Sequence, residues 1–554
     1  MASIVPVAFD DCVGWLHAVP GERGVVLCSA FGYEELCSRR TMHDLACSIA
    51  GAGLPVLRFD YHGTADSAGS GEDPDRVTTW IANIGAAIDL LRRETGVSEV
   101  ALVGLRLGAL LAACAAASRR DVSGLALLAA PNSGKAYVRE LQALAHLLVA
   151  PDARASSFDG LEVAGFCLAR QTLHDLAGLD WPQTPLSTAP RVLLMHPDNS
   201  SPKPLAKKLN AFEAIEEAPF EAYARLMCDP TASVVPSEAV AFLTNWLATG
   251  APSGAVKPIA ERKSVIVGDT YVAAAAMFGG AGRLTGIFCR ALTGHQPRMP
   301  SFVNAGAIYH VGWARMHVEM TRELARSGIA SLRFDLAGIG DSLAAETGAP
   351  LLYGALSDDI AAAIDWLEKR GIRDLTVFGS CSGAYQAFHA AISDRRIKRI
   401  ALVNQLCFVW GPAYAVQLET WRRTKAAEVA ARNNARNDAI AALSARGLMA
   451  RLMPRAKQLT SPAQPTFSSA ARCFGAARIW SSAVRRIIPA RHARAARLFR
   501  QRSRFGGART LDGAGRTTRD GNARRDKAPD RRRRSYVHPE RGAPAIGARR
   551  CTRS

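Results

Sequence analysis

The chain has 554 residues, 48% hydrophobic and 21% charged, with a mean hydropathy of +0.01. This is globular composition, long enough for about two to four domains, and it excludes a fibrous, collagen-like or wholly disordered chain. The net charge of +20 is uneven: residues 451–554 hold 27 Lys and Arg against 5 Asp and Glu, which leaves the first 450 residues at −2. A nucleic-acid or membrane partner, which such a charge suggests, would have to bind through that tail.

In chain order, residues 1–11 lack a basic region followed by an apolar run, so no signal peptide is expected. A β-rich run at 24–28 leads to a helical stretch, then to the strand Leu57-Arg58-Phe59-Asp60 and an amphipathic helix around 84–93. The apolar stretch 100–117 contains Arg106, Gly104 and Gly108, and reads as strand, turn and helix rather than a membrane span. A further strand is predicted at 191–195 and a helix at 237–247, before a short linker at 251–255. The same grammar then resumes. Segments at 265–267 and 283–289 predict an antiparallel edge, followed by strands at 301–304, 332–335 and 375–378 and a helix at 359–369.

The resumption keeps one spacing. Leu57-Arg58-Phe59-Asp60 recurs as Leu332-Arg333-Phe334-Asp335, Asp66-Ser67 as Asp341-Ser342, and Gly104-x-Arg106-x-Gly108 as Gly379-x-Cys381-x-Gly383, all at an offset of 275. Two copies of one α/β domain follow, each a mostly parallel sheet flanked by helices. The first spans residues 1–250 and the second 256–450, with an Arg-rich tail at 451–554.

Strand, G-x-X-x-G turn and helix form a nucleophile elbow, in which X sits at a strained tip and the helix N-terminus favours an anion there. In the second copy X is Cys381, a candidate nucleophile. The flanking Ser380 and Ser382 point away from the cleft, but the Ser382 amide is the expected first oxyanion donor. Ala305 and Gly306, in the loop after the 301–304 strand, are the expected second. In the first copy X is Arg106, which cannot attack a carbonyl; it is either an anion-binding cation or a buried ion pair with Asp60 or Asp66. That copy offers Asp198 where a triad acid belongs and Thr231 where the base histidine belongs, so it is expected to be non-catalytic.

These motifs resemble the α/β-hydrolase superfamily, in its serine aminopeptidase and lysophospholipase-like branch, over about residues 20–250 and 260–415. The resemblance implies ester, thioester or amide chemistry on a small-molecule acyl substrate, with a cysteine, histidine and acid triad in the second copy. The base and acid should follow Cys381, yet the only later histidines are His389, His492 and His538. At the repeat offset Asp198 maps to Cys473 and Thr231 to Gly506. His310 could contact substrate or pin its loop, while Asp335 and Asp341 are expected to fix the loop after their strand.

The tail reads as a disordered basic arm or as out-of-frame translation of GC-rich DNA, with a junction between about 450 and 480. The alternative function is a binding or scaffold protein with two degenerate elbows. The 12 cysteines lack metal or disulfide spacing, so no metal is expected and the cytoplasm is. No cofactor is expected either, since neither a phosphate-loop lysine nor a dinucleotide fingerprint is present.

Overall fold

The computed structural model describes residues 3–148, 158–183, 191–197, 203–209, 212, 215–250, 265–292, 298–304, 306–344, 357–405, 408, 420 and 424. All of them lie in one compact unit, Met1–Ala490. The linker at 251–255 and the tail from 451 fall outside the described residues.

The first half opens with an antiparallel pair, β1 (Ser3–Phe9) and β2 (Cys12–Ala18), and then β3 (Arg23–Cys28), α1 (Tyr33–Gly51) and β4 (Val56–Phe59). After these come α2 (Arg76–Thr95), β5 (Glu99–Leu105), α3 (Leu107–Ala117), β6 (Val122–Leu128) and α4 (Gly134–Leu148). A small hairpin, β7 (Gly160–Val163) and β8 (Phe166–Ala169), precedes α5 (Arg170–Gly178). The half closes with β9 (Arg191–Pro197), α6 (Lys203–Ala206), β10 (Ile215–Phe220), α7 (Tyr223–Leu226) and α8 (Ser237–Ala248). Its sheet runs β1-β2-β4-β3-β5-β6-β9-β10, parallel from β4 onward.

The sequence explains the central elements. Six of the seven residues of β5 are buried, because helices cover both faces of a parallel sheet. In α2, Trp80, Ile84, Ala87, Ile88 and Leu91 fall on one helical stripe and are buried against that sheet. The helix stops at Gly96, whose φ of 82° is the left-handed cap that glycine adopts without strain.

The second half repeats the plan with β11 (Val265–Val267), β12 (Tyr271–Phe278), β13 (Leu284–Ala291), β14 (Arg298–Val303) and α9 (Met316–Arg326). It continues with β15 (Ser331–Phe334), α10 (Ser357–Glu368), β16 (Asp374–Ser380), α11 (Ser382–Ser393) and β17 (Ile397–Val403). The order is β11-β12-β13-β15-β14-β16-β17. Among the described residues this sheet ends at β17, whereas the first sheet goes on to β9 and β10.

The loop after each LRFD strand carries the same hydrogen bonds. Ser67 Oγ donates to Asp60 O (2.6 Å) and Ser342 Oγ to Asp335 O (2.7 Å). Asp66 N donates to Asp60 Oδ2 and Asp341 N to Asp335 Oδ2. These loops also join the two halves, and they do so by exchange. Arg58 donates to Asp341, while Arg333, 275 residues on, donates to Asp66 at 2.7 Å. Likewise Arg40 reaches Ser342 O and Arg315 reaches Ser67 O. Each surface therefore meets its counterpart as in an isologous dimer.

Two bridging cations complete the exchange. Arg39 of α1 contacts Asp60 of its own half and Asp341 of the other. His310 sits between Asp335 of its own half (2.7 Å) and Asp66 of the other (2.6 Å). Apolar contacts flank the charges: Leu36 and Ala65 pack with Ile308, Tyr309, Val311 and Val318, and Val13 and Ala68 pack with Tyr271, Ile287 and Cys289. Burial alone would raise the Asp341 and Asp66 carboxyls. The facing cations, Arg39 and Arg58 for Asp341, His310 and Arg333 for Asp66, hold both well below the usual carboxylate range.

Removing one charge from a buried pair leaves the other uncompensated, at a cost of about 3–5 kcal/mol. Asp341→Asn should therefore lower stability by roughly that amount in urea unfolding, whereas Asp159→Asn, in the exposed pair with Arg170, should leave the unfolding midpoint nearly unchanged. Equal, small effects would contradict the exchange.

Candidate active site at the strand-helix elbow

At the two predicted elbow positions the backbone dihedrals are alike. Arg106 has φ 55°, ψ −119° and Cys381 has φ 53°, ψ −119°, each between a buried strand and a helix. Arg106 N donates to Leu128 O and Cys381 N to Val403 O, both at 2.9 Å, which pins each tip to the neighbouring strand. The glycines are sterically required. A Cβ on Gly379 would lie 2.1 Å from Gly383 O, and one on Gly383 would lie 2.2 Å from Asn304 O. In the first half, a Cβ on Gly108 would lie 2.2 Å from Cys28 O.

Register places the loops. Val303 pairs with Gly379 and Cys28 with Gly104, so the chain leaving β14 or β3 passes beside its elbow. In the second half this is the proposed oxyanion loop. Gly306, at φ 62°, donates its N–H to Ser382 Oγ at 2.7 Å, while Ala305 lies outside the described residues. Cys381 itself is partly exposed.

The Arg106 elbow is filled from within. Its Nε donates to Glu34 Oε1 (2.8 Å), its Nη1 to Ala129 O (2.9 Å) and its Nη2 to Glu140, and its guanidinium lies over the Tyr137 ring. Burial disfavours the cation, but Glu140 and Glu34 outweigh that and raise its pKa well above the usual value. The carboxylates are not the ones sequence reasoning offered. Asp60 pairs with Arg39, and Asp66 pairs with His310 and Arg333. Glu34 ends the Phe31-Gly32-Tyr33-Glu34 segment, which together with the Arg106 turn resembles a subgroup with arginine at the elbow, but the sequence reading did not pair it with Arg106.

His310 also lies elsewhere than a substrate contact would require. Its side chain has no exposure, and both ring nitrogens face carboxylates across the junction of the halves. Of the roles left open for it, the geometry takes the structural one. His389 lies on α11 with Nε2 donating to Phe408 O at 2.8 Å and its ring against Tyr385. Asp198, His492 and His538 fall outside the described residues.

The eight-strand order and the strained tip between strand and helix decide the architecture, and residues 22–166 match the family described as serine aminopeptidase, S33. The chain has the α/β-hydrolase fold. The matched segment contains the Arg106 elbow rather than the Cys381 elbow. Among solved structures, the DcsB complex with its substrate analogue is 17% identical, covering 45% of this chain and 99% of that one, with a TM-score of 0.32. Proline iminopeptidase from Mycobacterium smegmatis is 14% identical over 45% of this chain and 98% of that one, with a TM-score of 0.30. Est1E from Butyrivibrio proteoclasticus with ferulic acid bound is 15% identical over 44% and 96%, with a TM-score of 0.32. No curated protein sequence matches the chain. No helix among the described residues of this α/β-hydrolase fold is long and apolar enough to cross a membrane.

The paired carboxylates give His310 a pH signature. Burial would lower its pKa, but Asp335 and Asp66 raise it to about 10. A raised pKa stabilises the fold fully below the unfolded value of about 6.5, and that stabilisation is lost as pH climbs through about 10. Urea unfolding between pH 6.5 and 10 should thus show falling stability in the wild type and a flatter profile in His310→Gln. Parallel profiles would contradict the assignment.

Proposed function

We propose that the second half is an acyl-transfer hydrolase centre with Cys381 as nucleophile, and that the first half, built as a copy of the same domain, is non-catalytic. The boundaries of this reading are residues 1–250 and 256–450, and its substrate is a small ester, thioester or amide. The observation that carries it is the Cys381 backbone at φ 53°, ψ −119° on a helix N-terminus, with a partly exposed thiol. The match of residues 22–166 to a hydrolase family supports the reaction class, and the Glu34 and Glu140 contacts of Arg106 support an inert first elbow.

In this reading the Cys381 thiolate attacks the acyl carbon and the carbonyl π pair moves onto oxygen, beside the amides of Ser382 and the 305–306 turn. Collapse re-forms the carbonyl, expels the alkoxide or thiolate, or the amine once its nitrogen has taken a proton from water, and leaves a thioester on Cys381. Attack by water on that thioester releases the acid, and the proton returns to the thiol. The deacylating base and its acid partner are unassigned, since among the described residues the only histidine after Cys381 is His389, turned to Phe408 O. We read residues 451–554 as out-of-frame sequence standing where those groups belong. Source DNA that reads through codons 430–490 without an inserted or missing base would refute that.

Other thiols provide an internal control. Burial raises Cys114 to about 11 and also raises Cys47, Cys167 and Cys228. Iodoacetamide should therefore label Cys381 first and stoichiometrically, and p-nitrophenyl acetate should release a burst of one p-nitrophenolate per chain that disappears in Cys381→Ala. Equal rates in the wild type and Cys381→Ala would instead favour a binding or scaffold protein.

A further inference from the structure

Among the described residues, a well-held segment of the first half approaches Gly306, in the loop beside the Cys381 elbow. Between α7 and α8, Tyr33 Oη donates to Cys228 O (2.8 Å), and Ser233 Oγ donates to Cys37 O (2.7 Å). Between these anchors Asp229 Oδ1 accepts both the backbone N–H (2.9 Å) and the hydroxyl (2.5 Å) of Thr231. Held in this way, Thr231 points its γ-methyl across the junction. A Cβ placed on Gly306 would lie 3.0 Å from Thr231 Cγ2.

That contact falls on the turn that matters for acyl chemistry. Gly306 has φ 62°, and its N–H meets the hydroxyl of Ser382, the residue after Cys381. The amide is therefore aimed at the elbow, and the oxygen it binds belongs to the nucleophile's neighbour. A glycine in the left-handed region has wide conformational freedom, so the aim of its amide depends on what packs against it. On one side that is the Ser382 hydroxyl, and on the other it is the Thr231 methyl. Thr231 stands where the first half's own base histidine would be expected, so a segment with no base to present braces its neighbour instead.

We propose that Thr231 of the first half is a positioning residue for the Cys381 centre: its γ-methyl holds the Gly306 turn against the elbow, where the amide, resting on the Ser382 hydroxyl, turns to the oxygen that gains charge in acyl transfer. This rests on the Cys381 reading above. The consequence is a site incomplete without the first half, which explains why a half with an inert elbow is retained against the second at this point.

The test compares two reactions of one thiol. Acylation by p-nitrophenyl acetate builds an oxyanion, whereas alkylation by iodoacetamide displaces iodide at a saturated carbon and builds none. Both rates are measured at Cys381 by mass spectrometry in the full chain for wild type, Thr231→Ser and Thr231→Val. Thr231→Ser keeps the bond to Asp229 and loses the methyl; Thr231→Val does the reverse. The expected result is acylation slowed about tenfold in Thr231→Ser with alkylation within about twofold, and both reactions near wild type in Thr231→Val. Wild-type acylation in Thr231→Ser, parallel loss of both reactions, or equal slowing in both variants would overturn the bracing role. A wild type whose Cys381 alkylates but never acylates would remove the Cys381 reading itself, a result distinct from any of these.

Discussion

Everything that meets at the junction of this molecule depends on an exchange of charge between two like surfaces. Each half sends an arginine from its LRFD strand to the aspartate of the other half's Asp-Ser turn: Arg58 to Asp341 and Arg333 to Asp66. Unit charges about 4 Å apart attract by about 4 kcal/mol at an effective dielectric of 20, so each pair is strong once water is excluded. The backbone N–H groups of Asp66 and Asp341 also donate to the carboxylates of Asp60 and Asp335 in their own loops, which ties each loop to its strand. Where the halves differ, the chemistry is conserved by other means. Arg39 bridges Asp60 and Asp341, and an imidazolium at His310 bridges Asp335 and Asp66. The same electrostatic function is met by a helix side chain on one side and a loop side chain on the other.

The two elbows make the complementary point. Their backbones agree to within a few degrees, because strand, tight glycine turn and helix leave one solution for the tip. The side chain at that tip then decides everything. A guanidinium draws Glu34 and Glu140 onto the first tip and is buried with them, whereas the cysteine at the second tip stays partly exposed. In the proposed division of labour the closed elbow frees its half to act as a wall.

Most of the fold was legible in the sequence, for local reasons. Continuous apolar runs such as Val100 to Val103 announce buried parallel strands, and β16, α10 and the strands β11 and β13 fall where period and composition put them, although β12, which pairs with both, was not read from the sequence. The elbows were legible because glycine has no substitute there. The partners of Arg106 were not, since Glu34 and Glu140 approach from α1 and α4, 72 and 34 residues away, and the Phe31–Glu34 segment does not say which group its glutamate meets. Nor was the junction. Asp335 and Asp341 were expected to fix the loop after their strand, and the bonds of Asp341 N and Ser342 Oγ to Asp335 do so, but nothing in one strand says that its arginine crosses to the other half. The one available signal was that Arg58 and Asp66 repeat together at an offset of 275, which marks a self-complementary pair only once the two surfaces are seen face to face. The hairpin β7–β8 was missed because four-residue strands carry too little pattern.

The central claim is that two equivalent exchanges hold the halves together. The most direct measurement is a pair of double-mutant cycles by urea unfolding, one on Arg58 and Asp341 and one on Arg333 and Asp66, each residue replaced by a neutral isostere such as Met or Asn. Close charge pairs of this kind couple by about 1.5 kcal/mol or more. The account predicts such a coupling in both cycles. Coupling near zero in either, or in one cycle alone, would contradict it.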